Sequence, residues 1–421
     1  LVFTEDAYVA YSPCAIPFVI EGKIKDFESI VMHTPEWYHK ERNIAVRVRT
    51  KVTKVDVDAK KVTISDGSEI TYDVLIIAAG GSVFLPPIEG IKKNGVFSVR
   101  WIDDGKSIAA ALDKVNSVVV AGAGVIGLEM AVALKHCGKD VTVVEMFNQT
   151  IPRIFDEDMA KLVQDHCASL GIRFIMGTPL GSISGDGNVE KVTVGGNDVP
   201  CQMVVMATGV RPNLELPNQM GLDIGPLGAV RVSPTMQPYR KGRLLKDVFL
   251  AGDLVMCESA AAAGPTMSQL GSSAVRQGRV AGINATGGHA THGAVTSPFI
   301  SVIGDIEVGG VGLSKGLADY YGIKVVEGKA EGWTRARYYP GGKKLTVKVL
   351  AEADTHRIIG SQIVGGEEVT GRVNWMAGAI MKGVTAEEFL AEFENAYCPP
   401  TSMVRDVVND AVEDLVNRLK G

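Results

Sequence analysis

The sequence has few cysteines, and they are dispersed. Six stand at positions 14, 137, 167, 201, 257 and 398, and no two form a CxxC pair. That spacing argues against a disulfide framework and a zinc site, and for a reducing compartment, taken here as the cytoplasm. No apolar run reaches the roughly 18–20 residues of a membrane span, so no membrane partner is expected. No block of one charge sign occurs either. Lys and Arg number 43 against 48 Asp and Glu, a net charge of −5, which excludes nucleic acid as an expected partner. Low-complexity tracts and short-period repeats are absent. The first residue is Leu1 rather than Met, and no signal peptide is visible, although a leader ahead of Leu1 could have carried one.

What is present is enough apolar chain for several cores. A length of 421 residues with 46% hydrophobic content suggests two to four domains, at about 100–200 residues each. The 48 glycines suit tight strand-to-helix turns. A strand is expected in "LVFTE", and antiparallel strands over 46–57 and 60–66. "YDVLIIAAGGS" (72–82) reads as a buried strand entering a glycine turn. A helix is expected over 102–116, capped by Asp103 or Asp104. "QMVVMATGVRPN" (202–213) and "KDVFLAGD" (246–253) repeat the strand-then-turn pattern, and a small-residue helix is expected over 264–285. Beyond residue 296 the pattern changes to strands followed by helices near 367–382, 385–394 and 402–419, a separate α+β unit.

The strongest motif lies at 117–146. Gly122, Gly124 and Gly127 spell GxGxxG directly after "VVVA". In that pattern the first glycine permits a tight turn, the second lets backbone approach a pyrophosphate, and the third lets helix and strand pack closely. The helix N-terminus then offers free N–H groups to phosphate. Glu145 ends the following strand, where a carboxylate accepts the ribose hydroxyls. Met146 follows it, with no nearby Arg for a 2′-phosphate, so NADH is favoured over NADPH. The alternative is a glycine-rich turn that only packs. Asp253, at the end of "VFLAGD", can bind a polyol chain or simply cap a helix. Cys14, in "SPCAIPF", is either a packing residue or a reactive thiol.

The order SPCAIPF, AAGGS, GAGVIG…E, ATGVRPN, LAGD and "YCPPTS" resembles the flavin-dependent pyridine nucleotide–disulfide oxidoreductases. It is most similar to the single-cysteine branch of coenzyme A disulfide reductases, NADH oxidases and NADH peroxidases. The resemblance implies an α/β protein with two Rossmann-like, three-layer nucleotide-binding domains and a C-terminal α+β dimerisation domain. The implied division is 1–115 and 236–295 for FAD, 116–235 for NAD, and 296–421 for dimerisation. FAD and NADH are the implied cofactors. Glu5, Ala79, Gly80, Glu129, Gly209 and Asp253 join Gly122, Gly124, Gly127 and Glu145 in the cofactor-binding set.

In such enzymes the thiol accepts electrons from the flavin, so Cys14 is assigned as catalytic. The stretch after it reads as a helix start, whose field lowers a thiol's pKa. Two-cysteine branches carry a second thiol five positions on, where this sequence has Val19. Cys14 must then pair with a substrate thiol or cycle through sulfenic acid. The tail "AYCPPTSMVRD" aligns with a segment that crosses a homodimer to the partner's active site. There Tyr397 is assigned to the flavin region, and Arg405 and Arg42 to coenzyme A. Cys398 is either a second redox thiol or inert.

The sequence departs from the family at several points. Ala10, Pro13 and Val125 replace residues usual in relatives. The family's opening strand and its own GxGxxG for FAD phosphate would lie ahead of Leu1. No rhodanese-like domain is expected after Gly421, which makes a dedicated persulfide reductase less expected. The expected acceptor is coenzyme A disulfide, another small disulfide or polysulfide. The alternatives are O₂ or peroxide and, in another class, a non-catalytic nucleotide-binding subunit without FAD.

Overall fold

Short strands, not one continuous sheet, make up the N-terminal stretch of the computed structural model, which describes residues 1–421. Val2–Phe3 pairs in parallel with Val46–Arg47. Arg49, at φ 49°, then turns the chain into Val52–Asp56, which runs antiparallel to Lys61–Ile64. The single strand expected over 46–57 is therefore two strands in different sheets, because a left-handed residue cannot continue an extended run. Cys14 lies in a 3-10 turn, Pro13–Ala15. It leads into α1 (Ile16–Ile20), which buries Ile16, Val19 and Ile20. The expected helix after Cys14 is present but only five residues long.

β1 (Leu75–Ile77) carries the chain toward Gly80, and β2 (Val96–Ser98) precedes α2 (Ile102–Leu112). Neither Asp103 nor Asp104 is the cap. Trp101 holds that position, and the Asp104 carboxylate accepts N–H bonds from Arg100 and Trp101 at 2.8 and 3.0 Å. An acid in the first turn complements the helix dipole as well.

The 117–146 stretch folds as its pattern predicts: β3 (Ser117–Ala121), α3 (Val125–His136) and β4 (Asp140–Val144). Then come α4 (Glu157–Ser169), β5 (Arg173–Ile175) and β6 (Met203–Met206). The sheet order is β2-β6-β3-β4-β5, all parallel. The β3 and β6 side chains are buried on both faces, as continuous valine and methionine runs require in a covered parallel sheet.

β7 (Val248–Leu250) pairs in parallel with β1, Leu250 opposite Ile77, so both strands end on the same side. The helix expected over 264–285 is α5 (Gly271–Ala285). Its first turns are lost because Pro265–Thr266 pairs instead with Cys257–Glu258.

The C-terminal unit is an antiparallel sheet in the order β8-β9-β12-β11-β10. These strands are β8 (Phe299–Ile303), β9 (Ile306–Gly312), β10 (Val325–Trp333), β11 (Lys344–Glu352) and β12 (Ile358–Gly365). α6 (Val369–Lys382), α7 (Ala386–Glu392) and α8 (Val407–Leu419) follow. The expected start at 402 moves to 407 because residues 398–402 form a turn, in which Thr401 and Ser402 N–H groups donate to the Cys398 carbonyl. Asp406 then caps α8 through the Val408 N–H. The largest core cluster joins α1, α3 and β8 through Ile16, Leu128 and Ile303, which brings three parts of the chain to one place. No helix is long and apolar enough to cross a membrane.

Candidate functional site

The three motif glycines differ in what a side chain would meet. At Gly122, with φ 110°, an added Cβ would lie 2.3 Å from the Ala207 carbonyl oxygen. At Gly127 it would lie 2.0 Å from the Gly122 carbonyl oxygen. At Gly124 it would meet nothing within 4 Å. Two of the glycines thus serve packing, while the middle one faces open space at the start of α3, as the approach of a pyrophosphate requires. Glu145 follows β4 directly and is 6% exposed. Its carboxylate accepts the Ala123 N–H at 2.7 Å and the Phe147 N–H at 3.0 Å. The acid is therefore fixed against the glycine turn before any ligand arrives. These residues fit an NADH diphosphate and ribose.

A second cradle forms where β1 and β7 end side by side. Asp253 lies just past β7, and its Oδ2 accepts from Arg100 Nη2 at 3.3 Å. Gly80 has φ 63°, and a Cβ there would stand 3.1 Å from Arg100 Nη2. The Ala79 carbonyl accepts from Asn213 Nδ2 at 2.8 Å, and the Gly80 carbonyl from the Asn213 N–H. Gly209, at φ 98°, faces open space. An acid, a cation and glycine turns at adjacent carboxyl ends of parallel strands form the kind of crevice in which such folds bind nucleotides. They fit the ribityl part of FAD.

Cys14 is exposed and is not walled off in hydrocarbon. Crowding on its inner side nevertheless pushes its thiol above the ordinary value. The Glu129 carboxylate is the next cause, Arg100 opposes it, and Asp253 adds a smaller push. The lowered thiol pKa expected from the helix is thus not found, because burial of the thiol's inner side, with the Glu129 charge added to it, outweighs what the short α1 and Arg100 supply. Glu129 is itself pushed up by burial and pulled down by Ser301, whose Oγ donates to its Oε1 at 2.6 Å. Glu129, Arg100 and Asp253 thus each act electrostatically on Cys14.

The tail residues form a different neighbourhood. Tyr397 is exposed, and its hydroxyl lies 2.8 Å from that of Tyr338. Cys398 is exposed, with its N–H donating to Ser402 Oγ. Arg405 pairs with Asp410 at 2.8 Å and Glu413 at 2.7 Å, so its charge is already engaged on α8. Arg42 lies with its guanidinium 5.4 Å from the Trp37 ring, and that ring stacks on His33. Glu5 is exposed just after the Val2–Phe3 strand. Sequence reasoning missed Arg100, Ser301 and Tyr338. Each stands in an ordinary run, and only the "VRWIDD" acid cap near Arg100 hinted at a fixed position.

Comparisons with known proteins identify the family. The family described as pyridine nucleotide-disulphide oxidoreductase matches residues 1–278, and its dimerisation domain matches residues 299–406. The chain is 45% identical to a protein named NADH oxidase from Methanocaldococcus jannaschii, over 100% of this chain and 93% of that one. It is 30% identical to an NAD(P)H coenzyme A polysulfide/persulfide reductase from Pyrococcus horikoshii, over 96% of this chain and 90% of that one. Among solved structures, an NAD-dependent persulfide reductase from A. fulgidus superposes with a TM-score of 0.94 at 32% identity, over 100% of this chain and 78% of that one. With the glycine turn, its fixed acid and an exposed thiol in place, the chain belongs to the pyridine nucleotide-disulphide oxidoreductase family.

Proposed function

We propose that this protein oxidises NADH and delivers the two electrons to Cys14, which reduces a small disulfide such as coenzyme A disulfide or a polysulfide. The enzyme class, with FAD and NADH as cofactors, is that of the family. Bound FAD supplies the two-electron link between the nicotinamide hydride and the thiol. Gly122, Gly124 and Gly127 admit the NADH diphosphate, and Glu145 receives its ribose hydroxyls. Asp253 holds the flavin's polyol chain, with Ala79, Gly80 and Gly209 leaving backbone bare beside it.

Cys14 loses its proton and attacks one sulfur of the acceptor. A mixed disulfide forms and the first thiolate leaves. Two electrons from NADH then cleave that mixed disulfide, freeing the second thiolate and regenerating Cys14. The balance is NADH, one proton and one disulfide giving NAD⁺ and two thiols.

A dimerisation domain supports a homodimer. In the same reading the tail of one protomer reaches its partner's Cys14 site, bringing Tyr397 and Cys398, while Arg42 and Arg405 receive acceptor phosphates. The division into segments 1–115, 116–235, 236–295 and 296–421 belongs to this reading too. The observation that carries it is the exposed Cys14 within the field of Glu129, Arg100 and Asp253. A second reading takes O₂ or peroxide as acceptor through a Cys14 sulfenic acid. The similarity to the M. jannaschii protein named NADH oxidase favours it.

The test is a Cys14→Ser variant assayed for NADH-dependent reduction of coenzyme A disulfide. Activity should fall to background while flavin absorbance is retained. Undiminished disulfide reduction would refute the thiol's role, and NADH consumption that needs only O₂ would favour the second reading.

A further inference from the structure

The C-terminal sheet meets the nucleotide unit at a polar point whose charge acts on Cys14. Ser301, on β8, is 5% exposed. Its hydroxyl donates to Glu129 Oε1 at 2.6 Å, a length typical of an O–H···O⁻ bond. Glu129 rides on α3, two residues after Gly127. Its charge acts on Cys14, in the turn that opens α1. The apolar sides of α1, α3 and β8 share one core cluster, so the three positions are fixed relative to one another. One carboxylate is thus carried by the nucleotide unit, held by the C-terminal sheet and felt by the thiol.

We infer that Ser301 is a positioning residue for the reaction: its hydroxyl orients the Glu129 carboxylate and favours its ionised form, and so influences how readily Cys14 gives up its proton. The inference rests on the proposed role of Cys14. A crowded carboxylate without a donor takes up a proton to escape the cost of buried charge. Ser301 is the group that opposes this at Glu129. While Glu129 keeps its charge, it resists a thiolate beside it. Arg100, from the loop before α2, works the other way, and Asp253, from the loop after β7, sides with Glu129. Burial already favours the protonated thiol, and the Glu129 charge adds to that, so the C-terminal sheet adjusts the thiol through a single hydroxyl.

The test is alkylation of Cys14 by iodoacetamide in the reduced, full-length holoenzyme across a range of pH, read by mass spectrometry of the Cys14 peptide. Ser301→Ala removes the donor, so Glu129 protonates more readily and its repulsion is lost. Labelling at pH 7 should quicken about three- to tenfold, equivalent to roughly half to one unit in the thiol's pKa. Ser301→Thr keeps a hydroxyl and should label like the wild type. In a Glu129→Gln background, Ser301→Ala should change nothing, because no charge remains to be held.

Wild-type labelling in Ser301→Ala overturns the inference. So does an acceleration that persists in the Glu129→Gln background, which would assign Ser301 to packing alone. Ser301→Gly is a second donor-free variant, read the same way, if the alanine form does not fold. Labelling requires no turnover, so its failure and that of the proposed reaction are separate results.

Discussion

Arg100 Nη2 and Asp253 Oδ2 lie 3.3 Å apart, tying the loop before α2 to the loop after β7. Both side chains are largely shielded, at 26% and 16% exposure. This acid is the one expected to take the flavin's polyol chain, so Asp253→Asn should loosen FAD. A hydrogen bond to a charged group contributes about 1.5–3 kcal/mol, which corresponds to a dissociation constant raised roughly 10- to 150-fold. The flavin-to-protein absorbance ratio after dialysis measures it. An unchanged ratio would remove Asp253 from the cofactor site.

The glycine turn separates binding from stability. Gly124→Ala places its Cβ in open space, so the protein should melt like the wild type while its KM for NADH rises. Gly127→Ala drives its Cβ to 2.0 Å from the Gly122 carbonyl oxygen. Backbone must shift, at a cost of about 1–3 kcal/mol for an overpacked site, and the melting temperature should fall. If both variants melted alike, the division of labour between these glycines would be wrong.

That turn was also the most legible part of the molecule. The run from Ser117 to Val144 carries two uninterrupted valine strands around a helix with small residues, and nothing tertiary was needed to read it. The short pairings were not legible. Val2–Phe3 and Val46–Arg47 are two residues each, and the break between 47 and 52 comes from the left-handed Arg49. Proline-rich or glycine-rich flanks likewise hid the true starts of α5 and α8. At the site, Cys14, Glu145 and Asp253 stood out because each occupies a motif. Arg100 and Ser301 could not, since a lone Arg after "FSV" or a lone Ser in "FISVI" gains meaning only when folding sets it beside an acid far along the chain.

An ion cluster around a buried lysine joins the C-terminal sheet to α4. Lys348 Nζ lies 3.0 Å from Asp156, 2.9 Å from Asp158 and 2.7 Å from Glu327, and its side chain is 4% exposed. Burial works against the ammonium, but Glu327, Asp158 and Asp156 outweigh it and hold Lys348 above its ordinary value. Burial likewise opposes the Asp158 charge, yet Lys329 and Lys348 hold that carboxyl below its ordinary 3.8. The lysine's contribution is full below its ordinary pKa and fades only in strong alkali. The Asp158 contribution is full above 3.8 and is lost as pH falls through its lower folded value. Lys348→Met leaves the buried Asp156 carboxylate without its cation, while half-exposed Asp158 keeps Lys329 and half-exposed Glu327 faces solvent, so the cost at neutral pH should be about 1–3 kcal/mol. In denaturant titrations that deficit should shrink as pH drops below the ordinary Asp value, because neutral carboxyls no longer repel. A deficit independent of pH would mean that packing, not charge, sets the cost.

The two arginines expected at coenzyme A are not equivalent. Arg405, just ahead of α8, already faces Asp410 and Glu413 on that helix, so an incoming phosphate must compete with two carboxylates. Arg42 instead lies over Trp37, with its guanidinium free to meet phosphate in the bidentate geometry arginine favours. Arg42→Ala should therefore raise the KM for coenzyme A disulfide about fivefold, the equivalent of roughly 1 kcal/mol from one exposed charge contact. Arg405→Ala should change it less, and the Arg42 effect should weaken in high salt. Steady-state kinetics at low and high ionic strength decide between them. A larger effect at Arg405 would show that the acceptor displaces its carboxylate partners and that the tail, not the Trp37 surface, receives the phosphates.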